Sequence, residues 1–329
     1  MNLSPFKNPN RPKIKRNLIL IFVFSLILPW ARAGNAIKRS PDEVLLVVNT
    51  NSPISVAIAA DYAQKRQVRN VLSIQCQDSA VSTGNETIPL AVYTQLIEQP
   101  IRDYLAAHAG IDFIVLTKGI PIRISGSSMG SCDEHSQVPA GIRGYPSVDS
   151  TLAALDYATL PGTMKIDIRG SGAIGLAYSN RYWNATEPFS HAKFGGYLVN
   201  RLDGYTEADA MGLVTKSLAA ERGFTHGSVL LDVQPIFGLG DKATQPKPIS
   251  GTTILRESSW SDYNADMQRA YELLTNRGIP AELDLTPEFI GDRTNLLGYF
   301  SWGSNDARYS DRAYQALFFA PGSLSDTAV

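Results

Sequence analysis

The chain has 329 residues, 44% hydrophobic and 19% charged, with 26 glycines, 19 prolines and two cysteines. That length and apolar fraction support one large or two small domains with a substantial core. They exclude a disordered chain, a collagen-like or coiled-coil rod and a disulfide-dense miniature scaffold.

Residues 1–33 read as a secretory signal peptide. Lys7, Arg11, Lys13, Lys15 and Arg16 form a basic leader, the run Leu18–Leu28 is apolar except at Ser25, and Ala31-Arg32-Ala33 supplies a small-x-small cleavage pattern. The run is shorter than the ~20 residues that span a bilayer, so cleavage is expected in preference to a permanent anchor. The leader takes with it six of the 30 basic residues, leaving 24 against 31 acidic ones, a net charge of −7. A mildly acidic mature chain argues against a nucleic-acid partner, which needs clustered Lys and Arg. No later stretch is apolar for long enough to be a second membrane span, so the expected product is soluble, and periplasmic or secreted.

The first half of the α/β domain spans 34–124. Val44–Val48 is a continuous apolar run, as expected of a strand buried on both faces. Ser52 then fits an N-cap and Pro53 the first position of a helix running to about Arg66, with Val56, Ala59, Ala60 and Ala63 on one face. Val71–Ile74 is a second strand. Pro89–His108 has helical apolar spacing closed by Gly110, and Pro100 inside it predicts a kink or two abutting helices. Phe113–Leu116 is a third buried strand, followed by Lys118-Gly119 and a further strand over Ile120–Ile124. This alternation predicts parallel strands with crossover helices.

From 125 to 190 the pattern breaks into a Gly-, Ser- and Pro-rich insertion, with one helix at Ser147–Tyr157 and a short strand at Lys165–Ile168. The second half, 191–329, resumes with a strand at Tyr197–Val199 and a helix at Thr206–Glu221. A strand at Val229–Leu231 and a Pro/Gly-rich loop to Ser259 follow. The helix Ser261–Arg277 then carries Tyr263, Met267, Ala270, Tyr271 and Leu274 on one face. Strands at Ala281–Leu285, Leu297–Phe300 and Leu317–Phe319 end the series. No internal repeat is evident. The expected fold is an α/β three-layer sandwich with a mostly parallel sheet, Rossmann-like or caspase-like, carrying a long irregular insertion.

Two motifs fail their structural context. Gly170–Gly175 matches G-x-G-x-x-G, but no helical pattern follows it and no acidic residue stands about twenty positions on, so no dinucleotide cofactor is expected. Gly126–Gly130 matches G-x-S-x-G, but Ser131–Gly144 offers no helix to hold the serine. In an oxidising compartment Cys76 and Cys132 are expected to pair as a disulfide. The alternatives are an unpaired loop cysteine, or a Cys132–His135 half-site for a metal or a Cys–His dyad. Half a site falls short of the four ligands of a structural zinc, so no metal is expected.

Ligands of open parallel sheets bind outside the carboxyl ends of the strands. Read that way, the candidate binding residues are Lys118, Arg123, Asp149, Arg201, Asp203, Trp302, Ser304, Asn305 and Asp306, with Asn49, Asn51 and Asp232 at further strand ends. A Trp beside Asn and Asp is suited to stacking on, and hydrogen bonding to, a sugar or peptide. The competing reading is that these polar residues cap helices and turns. On the first reading they share one rim.

The segments Asp42–Arg66, Leu116–Ile124, Ser147–Leu155, Pro188–Thr206, Gly298–Asp306 (GYFSWGSND) and Phe318–Thr327 (FFAPGSLSDT) resemble, in order, one bacterial family. It comprises exported proteins of unknown function from genomes with exosortase/PEP-CTERM sorting systems. The resemblance implies export and a role in envelope or extracellular-matrix biology, and supplies no activity. Members generally continue beyond the last segment into another strand–helix unit, so it also implies a truncated copy or fragment. The C-terminus has no apolar span followed by basic residues, and so does not look like an exosortase substrate. By fold analogy the strand–SWGSND–strand order is similar to caspase- and gingipain-like peptidases, but no cysteine follows Phe319. No nucleophile–base pair can be assembled from spacing. The expectation is therefore a non-catalytic binding or assembly factor for a peptide or glycan, with an extracytoplasmic hydrolase as the alternative.

Overall fold

The structure, a computed structural model, describes residues 39–126, 146–157, 159, 165–167, 176–178, 181–182, 185–222, 226–240 and 260–327. All lie in the unit Arg39–Val329. The apolar run at 44–48 forms β1 (Val44–Asn49), buried from Leu45 onward. Ser52 caps α1 (Pro53–Arg66): its Oγ accepts from the Ser55 N–H, and Gln67 ends the helix in the left-handed region. After β2 (Asn70–Ile74) and the short β3 (Thr87–Pro89) come α2 (Leu90–Tyr93) and α3 (Gln99–Ala107), joined by a π-helical turn over Thr94–Glu98. The kink expected from Pro100 takes this form: the widened turn lies just ahead of the proline, where a regular helix would meet its ring.

β4 (Phe113–Thr117) is followed by β5 (Arg123–Ser125), shorter than the strand expected at 120–124 and paired with β3 to one side. Pro121, which has no N–H to donate, and Gly119 at φ 98° hold the intervening residues in a turn. A side chain at Gly119 would meet Ser52 Oγ at 2.3 Å, so only glycine fits there. Of the insertion, the described parts include α4 (Val148–Ala153) and an antiparallel pair, β6 (Lys165–Asp167) with β7 (Leu176–Tyr178). The chain continues with α5 (His191–Phe194), β8 (Leu198–Leu202), α6 (Glu207–Arg222), β9 (Ser228–Asp232), α7 (Trp260–Asn276), β10 (Ala281–Asp284), β11 (Leu296–Ser301), α8 (Asp311–Gln315) and β12 (Phe319–Thr327). The last strand begins where the sequence pattern expects it to end.

The long strands form two four-stranded sheets, ordered β2-β1-β4-β8 and β10-β9-β11-β12, with every neighbour parallel. β8 completes the first sheet, so the division between sheets falls at α6 and not in the 125–190 insertion. Both sheets have the same topology. The first strand in sequence lies inside, the second on one side of it, and the third and fourth on the other. No sequence repeat accompanies this.

Alternate residues supply the two faces of each sheet, giving the expected three-layer α/β arrangement. In the first sheet Leu45 and Val47 pack with Ile101 of α3 and Leu152 of α4, whereas Leu46 and Val48 pack with Ala59 of α1. In the second, Val229 and Leu231 pack with Met267 of α7, and Leu230 and Tyr299 with Phe289, Leu317 and Ala313 of α8. α6 bridges α1 and β12. Arg66 donates to Glu221 and Ser217, and Gly322, at φ 78°, lets β12 pass where a Cβ would lie 2.4 Å from that of Ala220.

Candidate functional site

In a sheet of this order the topological switch point lies between the first and third strands, where crossovers depart to opposite faces. In the first sheet that is β1 and β4, and the polar residues there are fully engaged with the protein itself. Buried Asn49 donates to the carbonyls of Gly119 (2.8 Å), Cys76 and Gln77, and its Oδ1 accepts from the N–H groups of Cys76 and Asn51. Ser55 and Thr117 share a 2.5 Å hydroxyl contact. Cys76 is a buried thiol pushed up to about 12 by burial, with Asp78 adding to the effect, so it stays protonated and is no nucleophile. Its expected partner Cys132 lies outside the described residues, as do His135, 127–130 and 170–175.

The candidate cations of this sheet are likewise tied within the fold. Lys118 Nζ donates to Asp203 Oδ1 (2.8 Å) and to the Gly204 carbonyl. Arg123 pairs with Glu86 across the β3–β5 ribbon. Arg201 forks onto Asp149 and donates to the carbonyls of Ile120 and Pro121, clamping β8, α4 and the turn after β4 together. For Lys118, Arg123, Asp149, Arg201 and Asp203, structural ties account for the polar groups seen in sequence.

The second switch point, between β9 and β11, differs. Asp232 ends β9 and stands in register with Asp284 of β10 on one side and Ser301 of β11 on the other. Its carboxylate is buried, with the residue 2% exposed. Oδ2 accepts from the Ile290 N–H at 3.1 Å, and Oδ1 has no hydrogen-bond partner. The hydroxyl of buried Tyr299, two residues before Ser301 on the same face of β11, is also unpartnered. Tyr93, in the core of the first sheet, carries the third such atom among the described residues.

Burial raises the Asp232 carboxyl to about 7. The Ile290 N–H opposes that rise, and the charges of Asp284, Asp306 and Glu282 reinforce it. The Tyr299 phenol is also raised, first by burial; Ser301 favours its ionisation while Asp232 and Asp306 oppose it. Beside them, Gln234 donates to Asp306 Oδ1 at 2.8 Å, and Asp306 Oδ1 also accepts from the Arg308 N–H at 2.7 Å. Asn264 of α7 donates to the carbonyls of Gln234 and Gly238.

Trp302 is not the exposed stacking platform that its neighbours suggest. It is 5% exposed, its ring packed against Phe237 (4.2 Å between centroids) and edge-on to Tyr263, with Nε1 donating to Asn264 Oδ1 at 2.7 Å. Strand alternation places it opposite Ser301, on the α7 face, where apolar burial outweighs exposure. Trp302→Phe should therefore lower stability by about 1–2 kcal/mol in urea denaturation, from the buried Asn264 oxygen left unpaired. An unchanged midpoint would contradict this. Ser304 and Asn305 are exposed on the turn that follows, and Asp306 is buried.

The candidates thus divide between the ends of two sheets, instead of lining one rim. Gln234, Asn264 and Tyr299 escape the sequence reading. Asn264 alone left a signal, as a polar residue in helical register with Met267 and Tyr271. Among the described residues no group of three His, Cys, Asp or Glu side chains is arranged to hold a metal ion, and no helix is long and apolar enough to cross a membrane. The chain matches no protein-family model, no curated protein and no solved structure.

Proposed function

We propose that this protein is a non-catalytic binding or assembly factor of the cell envelope or extracellular matrix. On this reading it is exported to the periplasm or beyond by its N-terminal signal, and seats part of a peptide or glycan at the carboxyl ends of β9 and β11. The observation that carries the reading is the unpartnered Oδ1 of Asp232 at a switch point. A buried polar atom without a partner costs about 1–3 kcal/mol, and a ligand group that completes its hydrogen bonding recovers that cost on binding. The counterpart site in the first sheet, where Asn49 satisfies itself, has no such atom to offer.

Hydrolysis has one observation in its favour. A carboxyl raised to about 7 is suited to general acid–base work. Binding is preferred because the described residues around Asp232 supply no paired nucleophile and base. Peptide and glycan arrays probed with the wild-type protein and with Asp232→Asn decide the matter. The wild type should retain at least one class that the folded variant loses. Retention unchanged in the variant removes the site, and cleavage of the retained ligand moves the assignment to the hydrolase.

A further inference from the structure

Resting on that reading of Asp232, we infer that the group seated there is an organic ammonium, such as the amine of a peptide or of an amino sugar. Two independent features of the site point to a cation. The first is charge. Asp232 and Asp284 end two adjacent strands, and Asp306, past the turn that follows β11, and Glu282 add their charges, while Arg293 is held by Glu282 and Arg308 by Glu288. Arg312 of α8 is exposed. An anionic ligand would enter against this field. A cation would replace the proton that the Asp232 carboxyl otherwise keeps.

The second feature is aromatic. Rings run without interruption from Phe289 to Tyr309 (5.1 Å between centroids), Tyr314 (6.2 Å) and Tyr299 (6.2 Å). Within this row Tyr314 is exposed and its neighbour Tyr299, whose hydroxyl is unpartnered, is buried. Aromatic faces attract ammonium groups, and more strongly when water is excluded. Rings beside a buried carboxylate suit an organic cation better than a metal ion, which needs a shell of oxygen ligands. The segment 285–295 meets the carboxylate through the Ile290 N–H. Asp292 and Asn295 in this segment are both in the left-handed region. A cation at the Asp232 carboxylate alters this hydrogen bond, which makes the Ile290 amide its reporter.

The test is a titration of 15N-labelled protein with matched pairs: Nα-acetyl-lysinamide against its Nα,Nε-diacetyl form, and glucosamine against N-acetylglucosamine. The ammonium members should shift the Ile290 amide resonance, and their neutral partners should not. Whichever amine binds more tightly tells peptide from sugar. Asp232→Asn should weaken the response at least roughly tenfold. Tyr314→Ala, at the exposed member of the row, should weaken it about two- to fivefold, and keeps the test readable if the first variant fails to fold. Equal, Asp232-dependent binding of charged and neutral partners overturns the ammonium assignment and leaves the site standing. Silence from all four probes also overturns the assignment, while the arrays alone decide whether anything binds at Asp232.

Discussion

Asp232→Asn should make the protein more stable than the wild type at pH 8 and leave it equally stable near pH 4. The folded state holds the Asp232 proton to about pH 7, chiefly because burial disfavours the charged form. The unfolded chain releases it near the ordinary value of about 4. The folded state therefore binds more protons between these limits, and stability from this group falls as pH rises across them. It is fully present below about pH 4 and lost above about pH 7. The difference amounts to roughly 4 kcal/mol at its upper bound. Asparagine keeps an oxygen for the Ile290 N–H and cannot ionise, so it escapes the loss. Urea denaturation of both proteins from pH 4 to pH 8 isolates the effect, because the remaining acids titrate alike in each. A gap between the two that does not change with pH would mean that Asp232 is hydrated in the folded state.

The second large effect lies in the first sheet. Arg201→Ala should cost about 2–3 kcal/mol, because it leaves Asp149 without its partner and two carbonyls, of Ile120 and Pro121, without a donor. The Arg201 side chain is 9% exposed and that of Asp149 32%, so water screens the pair in part, less than on an open surface. Arg201→Lys should recover only part of the loss, since an ammonium cannot fork onto a carboxylate while also reaching two carbonyls. In a double-mutant cycle with Asp149→Ala the two losses should fall short of additivity. A cost below about 1 kcal/mol for Arg201→Ala would show that the contacts are incidental. In that case Arg201 and Asp149 would return to the list of ligand candidates.

Much of the secondary structure was legible because its causes are local. Val44–Val48 is apolar without a break, Ser52-Pro53 starts a helix by capping and by a preset φ, and Gly278 ends one in the left-handed region. Helical periodicity placed α6 and α7 to within a residue or two at each end. The short β3 escaped notice because three residues carry no period, and it exists only by pairing with β5. Trp302 misled for a related reason. Its polar neighbours suggested exposure, yet alternation along β11 sends the indole to the α7 face. Lys118 and Arg201 looked free because their partners, Asp203 and Asp149, lie 85 and 52 residues away.

The order of the long strands and of the longer helices, and the polar character of the strand ends, follow from the sequence alone, since both depend on side chains within a few positions of one another. Tertiary structure decided that eight long strands divide into two sheets of one topology, and that one strand end satisfies itself while the other does not. Asn49 and Asp232 look alike in sequence, each closing an apolar strand. Their difference comes from what is folded over them: Cys76 and Gly119 complete the hydrogen bonds of the first, whereas Ile290 reaches only one oxygen of the second, among the carboxylates of Asp284 and Asp306. Loss of water at a polar atom is set by neighbours distant along the chain, and no local pattern encodes it.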